Sequence, residues 1–358
     1  MPDILLNPGP VTLSARVRQA ATRVDLCHRE TDFLEIQRQV IAGLGAVYDC
    51  DPNTWTTVIL GGSGTTAMEA MLASIIAVGE RLLVLENGVY GERFSEIARI
   101  HGIDYQSLTQ NWGTAPDLER LDRALSSGHF AWLAAVHHET TTGRLNPLPE
   151  LAKICERHGV ALLADTVSSF AAEPVPFEHP ALAACAGTAS KCLHGIPGLA
   201  FVTLRRDLLS RNVPERSLSL HLPRWAVQQD TGATPFTPPV NAYLALHEAL
   251  LELQEQGGWP ARRARYLDLA ERVRSALAGC GIEPWLLPAD SACALRSYGL
   301  PAGVNYNAVH DGLKHRGFVI YSGQGNLSGQ MFRISTMGAI SDEDMMRLEQ
   351  AIGYVFAG

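Results

Sequence analysis

The sequence predicts an α/β protein. A large unit holds an open, mostly parallel sheet with helices on both faces, and a smaller α+β unit follows it. Three observations predict this. Short apolar runs alternate with helical patterns from about Thr54 to Leu204, the alternation stops at Pro235-Phe-Thr-Pro-Pro239, and short strands mixed with helices resume near Gly281. A chain of 358 residues is long enough for about two such units.

In order, Thr56–Leu60 reads as a strand, the glycine run 61–64 as a turn, and Thr65–Ala77 as a helix. Arg81–Leu85 is a second strand, followed by a helix over Gly91–His101. Phe130–Val136 is a third strand, with a helix over Leu148–His158, and Val160–Ala164 and Leu199–Leu204 are the fourth and fifth. Two long helices follow, Val240–Glu255 and Pro260–Leu277. The last part reads Ala294–Ser297, Asn307–Arg316, Phe318–Tyr321, Phe332–Ser335 and a closing helix over Asp342–Phe356. The division falls at 1–255 and 256–358. In open sheets of this kind ligands bind beyond the carboxyl ends of the strands. That places Ser63-Gly64-Thr65, Asn87, His137–Thr142 and Asp165 on one rim.

The composition is that of a globular protein, 46% hydrophobic and 18% charged, with net charge −8. An acidic chain without a basic run argues against nucleic acid and anionic membrane as partners. Small anionic substrates remain open, since a local positive site can sit inside an acidic protein. Seven cysteines, odd in number and without C-x-x-C spacing, fit free thiols in a reducing compartment. Residues 1–11 lack a basic stretch followed by an apolar core. The apolar stretch near Ala67–Val78 contains Glu69 and Ser74 and is too short to span a bilayer, so a cytoplasmic protein is expected.

Amine chemistry has only three candidates, Lys153, Lys191 and Lys314, because the other basic residues are arginines. Lys153 and Lys314 lie in charged, amphipathic stretches. Lys191 stands among small and apolar residues, with no acid between Glu178 and Asp207. Such a lysine is either desolvated and nucleophilic, or it carries its head out to solvent on an apolar stem. Asp165 closes the apolar run Val160-Ala-Leu-Leu-Ala164. Alone it reads as a turn or cap residue; paired with Lys191 it fits pyridoxal phosphate chemistry, which needs a lysine for the aldehyde and an acid for the ring nitrogen. Gly61-Gly-Ser-Gly-Thr-Thr66, after a strand and opening a helix, offers backbone N–H groups to an anion. It lacks the Gly-Lys-Ser/Thr of a P-loop. It does match G-x-G-x-x-A, with Glu86 further on, which keeps a dinucleotide site in play. His137 and His138 are neighbours on a strand and point to opposite faces, so no metal site is expected.

Together these residues resemble the class V aminotransferases, which have the type I fold of pyridoxal phosphate enzymes. The resemblance rests on Leu6-Asn-Pro-Gly-Pro-Val11, Asn87-Gly-Val-Tyr-Gly-Glu-Arg93, Val136-His-His-Glu-Thr-Thr-Thr-Gly143, Asp165-Thr-Val-Ser-Ser-Phe170, Ser190-Lys-Cys-Leu-His-Gly-Ile-Pro-Gly198, Gly317-Phe-Val-Ile-Tyr321 and Phe332-Arg-Ile334. Within the family these segments are most similar to transaminases that take 2-aminoethylphosphonate as donor and pyruvate as acceptor. The resemblance implies that Lys191 holds the pyridoxal 5′-phosphate aldehyde and then carries the proton. It gives Asp165 to the ring nitrogen, Tyr90 and Val167 to the two ring faces, and Thr140 to the ring hydroxyl. Ser63, Gly64, Thr65 and Ser190 would hold the phosphate. Thr237 would reach the phosphate of a second subunit, which implies a homodimer with shared sites, and Arg333 would clamp a substrate carboxylate. The phosphonate would need cations, for which Arg29, Arg216 and Arg224 are candidates.

The chain departs from this pattern at Cys27-His-Arg29, where aminoethylphosphonate transaminases carry Trp and a cluster of acids. His-Arg is more like the alanine–glyoxylate and serine–glyoxylate transaminases, so these are the alternative. A cysteine desulfurase would have His before the lysine and a stacking His, where this chain has Ser190 and Tyr90. A nicotinamide oxidoreductase would leave Lys191 and Asp165 unexplained.

Overall fold

The computed structural model describes residues 3–356. The elements are β1 (Ile4–Leu5), α1 (Ala15–Ala20), α2 (Thr31–Ala46), β2 (Trp55–Gly62), α3 (Gly64–Ile75), β3 (Arg81–Glu86), α4 (Val89–Ile100), β4 (Asp104–Thr109), α5 (Leu118–Ser127) and β5 (Trp132–Val136). Then come β6 (His138–Glu139), β7 (Arg144–Leu145), α6 (Leu148–Arg157), β8 (Ala161–Asp165), β9 (Leu182–Thr188), β10 (Gly198–Arg205), α7 (Leu222–Asp230), α8 (Val240–Glu255) and α9 (Gly258–Ala278). The chain closes with β11 (Leu295–Gly299), α10 (Tyr306–Lys314), β12 (Phe318–Val319), β13 (Tyr321–Ser322), β14 (Met331–Ser335) and α11 (Asp342–Phe356).

The central sheet has seven strands in the order β2-β10-β9-β8-β5-β3-β4. Only β10 runs against the others. The carboxyl ends of the remaining six therefore share one rim. The sheet alternates with period two. Ile59, Leu83, Leu85 and Leu133 point to a core shared with α2, α5, α6 and α8. Val58, Leu60, Leu82, Val84 and Ala134 point to a core shared with α3, α4 and α7. Burying both faces makes this a three-layer α/β unit with a mostly parallel sheet, as the alternation predicts.

Three details differ from the sequence reading. Two further strands, β4 and β9, join the sheet, and β10 is antiparallel to both neighbours. Phe318–Tyr321 is split between β12 and β13, which belong to different sheets. The N-terminal strand β1 pairs with β12, and Ile4 and Leu6 pack with Leu269, Val273, Phe332 and Leu348 of the smaller unit. Residues 4–6 thus lie with the C-terminal core, while the expected division put them with the large unit. No helix among the described residues is long and apolar enough to cross a membrane.

Candidate active site

The loops after β2, β3, β5, β8 and β9 meet at the rim. After β2, Ser63 is the N-cap of α3 and its N–H donates to Thr66 Oγ1 at 3.0 Å. Gly62 has φ +150, and a Cβ there would stand 2.3 Å from Thr66 Oγ1, so only glycine allows this turn. The first N–H groups of α3 have no partner within the helix and carry its positive end. A Cβ on Gly64 would meet Val167 Cγ1 at 2.5 Å, so the glycine turn and Val167 are in direct contact.

After β3, Asn87 exchanges hydrogen bonds with Asn146 (2.8 and 3.2 Å) and α4 begins. Its start is held by Glu139, a fully buried carboxylate. Oε2 accepts the N–H groups of Tyr90 and Gly91 at 3.2 and 3.3 Å, and Oε1 accepts Thr141 N–H and Oγ1–H at 3.2 and 2.6 Å. Burial raises the Glu139 carboxyl above its ordinary range, against the pull of these donors. Tyr90 and Arg93, one turn apart on α4, lie together, with the guanidinium 4.6 Å from the ring centroid. Arg93 Nη1 also donates to Thr65 Oγ1 at 3.2 Å.

After β5, the β6–β7 hairpin carries His138 to Thr142. Thr140 Oγ1 is buried and has no partner among the described residues. His138 Nδ1 lies 3.0 Å from Ser168 O, which can only accept, so Nδ1 carries the proton and Nε2 is left buried and unpartnered. Burial holds His137 and His138 down to about 4, so both rings are neutral at pH 7. No group of three or more His, Cys, Asp or Glu among the described residues is arranged to hold a metal.

Asp165 ends β8. Its Oδ1 accepts Val167 N–H at 2.8 Å, and no described residue bonds Oδ2. Burial pushes this carboxyl up to about 7. Glu139 adds to the rise, while Lys191 and Arg93 oppose it. Lys191 follows β9 and is half-buried, less enclosed than its apolar neighbours suggest. It has no ion-pair partner among the described residues. Gly9 of the N-terminal segment lies against its stem, with Cβ-to-Cδ and Cβ-to-Cε distances of 3.1 Å for a residue larger than glycine. Ser190, beside it, is half-buried too.

Arg333 on β14 is 1% exposed and joins the two units. Nη1 donates to Thr140 O at 2.7 Å and to Gln324 Oε1 at 3.1 Å. Nε and Nη2 both donate to Ser322 O, at 3.0 and 2.7 Å. One Nη2 hydrogen remains for a ligand. Ser297 Oγ donates to Thr142 O beside it, at 2.7 Å.

The remaining expected residues are placed as follows. Thr237 is exposed, on the segment that brings Pro239 against Gly61 and Gly198, and it bonds no described residue. Arg29 is exposed in the loop before α2, also without a partner. Arg216 donates through Nη1 to Ala73 O and Ile76 O, at the far end of α3 from Ser63. Arg224 pairs with Glu215. The dinucleotide reading of the glycine turn fails on Glu86, whose buried carboxylate accepts hydroxyls from Ser95, Ser107 and Thr109 and is closed to a ribose. Sequence reasoning missed Glu139 and Arg93. The available signal for Arg93 was its spacing of one helical turn from Tyr90.

Residues 26–345 match the family model for Aminotransferase class-V. A 2-aminoethylphosphonate–pyruvate transaminase from Pseudomonas putida is 34% identical, the match spanning 98% of this chain and 96% of that protein. A crystal structure of an aspartate aminotransferase of subgroup IV from Thermus thermophilus is 32% identical with a TM-score of 0.90, covering 99% of both chains. An alanine–glyoxylate aminotransferase from Nostoc is 27% identical with a TM-score of 0.92, covering 99% of this chain and 95% of that one. A lysine and an acid on the rim of such a sheet, together with a full-length match of this kind, place the chain in the class V aminotransferase family.

Proposed function

We propose that the protein is a pyridoxal 5′-phosphate-dependent transaminase that moves the amino group of 2-aminoethylphosphonate to pyruvate, working as a homodimer with shared sites. The observation that carries the cofactor reading is the set of polar atoms without a partner among the described residues, Asp165 Oδ2, Thr140 Oγ1 and His138 Nε2, with Lys191 close enough to bear on Asp165 and His138. They fit a pyridine ring with a cationic nitrogen and a hydroxyl. Val167 and Tyr90 supply its flanks, and Ser63, Gly64, Thr65 and Ser190 supply a phosphate cup. When bound, the cofactor supplies an aldehyde that exchanges amino groups and a ring that takes up an electron pair.

The protein's own part is then as follows. Asp165 Oδ2 would face the ring nitrogen as a carboxylate and favour its protonated form. Lys191 Nζ would take the proton from the donor's amine-bearing carbon and, in the second half-reaction, would give one to the corresponding carbon of the acceptor. Arg333 orients the acceptor carboxylate with its remaining N–H, Arg29 faces the donor's phosphonate, and Thr237 completes the partner subunit's phosphate cup. Residues 1–255 form the cofactor-holding unit and 256–358 the smaller one, with β1 exchanged to the latter.

The donor rests on the full-length relatives named for 2-aminoethylphosphonate. The second reading, an alanine- or serine–glyoxylate-type transaminase, is favoured by Cys27-His-Arg29 and by the Nostoc structure. The test is a donor panel of 2-aminoethylphosphonate, alanine, serine and aspartate on cofactor-loaded protein, followed by the loss of its yellow colour. Borohydride should fix the cofactor's mass on Lys191. Rapid bleaching by alanine or serine, with none by the phosphonate, selects the second reading. A colourless protein that binds no cofactor rejects both. Light scattering across a dilution series tests the dimer, and full activity in a monomer excludes a shared site.

A further inference from the structure

The residues given to the phosphate cup, Ser63, Gly64, Thr65, Ser190 and Thr237, include no cation. A phosphate monoester at neutral pH carries close to two negative charges, and one helix N-terminus offers about half a positive charge. Arg333 cannot make up the difference, because its N–H groups are largely committed to Thr140 O, Ser322 O and Gln324.

Arg93 is the guanidinium at the cup. It is half-buried, with no carboxylate within salt-bridge distance among the described residues. Its only side-chain hydrogen bond among them goes to Thr65 Oγ1, at 3.2 Å, in the first turn of α3. Its charge also bears on Asp165. One N–H is used out of five. The guanidinium lies over one face of Tyr90 at 4.6 Å, and no other aromatic ring among the described residues stacks on Tyr90. Its position is fixed from behind, because Glu139 holds the N–H groups of Tyr90 and Gly91 and so sets the start of α4.

We infer that Arg93 is the cation of the phosphate subsite: it grips the cofactor's phosphate together with the N-terminus of α3, while stacked on Tyr90. This rests on the cofactor reading above. A planar guanidinium suits the role, since it can present two parallel N–H groups to a phosphate.

The test compares pyridoxal 5′-phosphate with pyridoxal, which has the same ring and aldehyde but no phosphate. Equilibrium dialysis is run on cofactor-free wild type, Arg93→Gln and Arg93→Lys. Arg93→Gln should weaken pyridoxal 5′-phosphate by ten- to a hundredfold, the range for a lost charge-assisted bond, and leave pyridoxal within about twofold. Arg93→Lys should recover part of the loss, and inorganic phosphate should compete with the cofactor on wild type far better than on Arg93→Gln. Equal losses for both ligands, or no loss, overturn the inference. A second measurement needs no variant. Phenylglyoxal should modify Arg93 in the cofactor-free wild type, read by peptide mass, and inorganic phosphate should protect it. Modification unaffected by phosphate also overturns the inference. If wild type binds no pyridoxal 5′-phosphate at all, the cofactor reading itself has failed.

Discussion

Asp165→Asn should stabilise the cofactor-free protein at alkaline pH while removing its activity. The carboxyl is buried, has one hydrogen-bond donor, and is pushed up to about 7. In the unfolded chain it titrates near 4. A folded-state value above the unfolded one means that the folded state holds its proton longer. The stabilisation is complete below about pH 4 and is lost as the pH rises through 7. Three units at about 1.4 kcal/mol each set a ceiling near 4 kcal/mol. Relaxation around a buried charge lowers that ceiling, and about 2 kcal/mol is expected. Asparagine keeps an oxygen for the Val167 N–H and carries no charge, so it escapes this loss. Every other titrating group is common to both proteins and cancels in the comparison. Thermal unfolding of the cofactor-free pair from pH 4 to 9 should therefore show curves that meet at the acid end. They should separate in favour of Asp165→Asn up to about pH 8 and then run parallel. The cofactor should invert the order, because a cationic ring nitrogen pairs with the carboxylate and not with the amide. Curves parallel from pH 4 upward, or a variant less stable throughout, would show that the carboxyl is not held under strain.

Gly64→Ala puts a methyl 2.5 Å from Val167 Cγ1, so the turn and the ring flank must move apart. About 1–3 kcal/mol of overpacking is expected, with at least a tenfold loss of cofactor affinity by dialysis. Arg333→Lys loses the planar fork to Ser322 O and Thr140 O. A fall of one to two decades in kcat/KM for the 2-oxo acid is expected, from about 1.5–3 kcal/mol per charge-assisted bond; unchanged kinetics would remove it from the site. His137 and His138 lie below their unfolded value, at about 4. The unfolded chain takes up protons first as the pH falls below about 6.5, so each ring costs up to roughly 3 kcal/mol by pH 4. His138→Gln should flatten the acid limb of the stability curve, and an unchanged limb would refute the burial argument.

The helices α8 and α11 are legible, because Val240–Glu255 and Asp342–Phe356 carry apolar positions at helical spacing, and α8 stops before Gly257-Gly258. The strand β9 is not. Leu182-Ala-Ala-Cys-Ala-Gly-Thr188 is rich in alanine, a helix former, and becomes a strand because β8 and β10 flank it and both its faces are buried. β4 fails for the opposite reason: Asp104-Tyr-Gln-Ser-Leu-Thr109 is a polar edge strand whose one neighbour is β3. The direction of β10 has no signature in a period of two. Among site residues, Lys191 and Asp165 stand out because each is a polar residue in an apolar context. Arg93 looks like one more charge on an amphipathic helix. Its meaning comes from which way α4 faces the rim, and Glu139 sets that from another strand.

Four of the buried acids, Glu86, Glu139, Glu173 and Asp165, differ in how their burial is offset, while a fifth, Glu252 on α8, accepts Ser14 Oγ–H. Glu86 accepts three hydroxyls, Glu139 accepts four donors at the start of α4 and in the hairpin, and Glu173 accepts Arg263 at 2.8 Å and Cys293 N–H at 2.6 Å. Each is a joint between segments, and its burial is offset within the chain. The pull of Arg263 and Cys293 is enough to hold Glu173 below the ordinary range despite its burial. Asp165 alone among the four has a single donor and an oxygen turned to the rim without a partner. A chain selected only for stability would fill that position with an amide or an apolar residue. Keeping an underbonded acid there is sensible if a cation arrives from outside the chain, as the proposed cofactor would bring, and the buried hydroxyl of Thr140 also has no partner among the described residues. Arg93 is the complementary case in the proposed phosphate subsite: a cation without an acid partner among the described residues, beside a helix end.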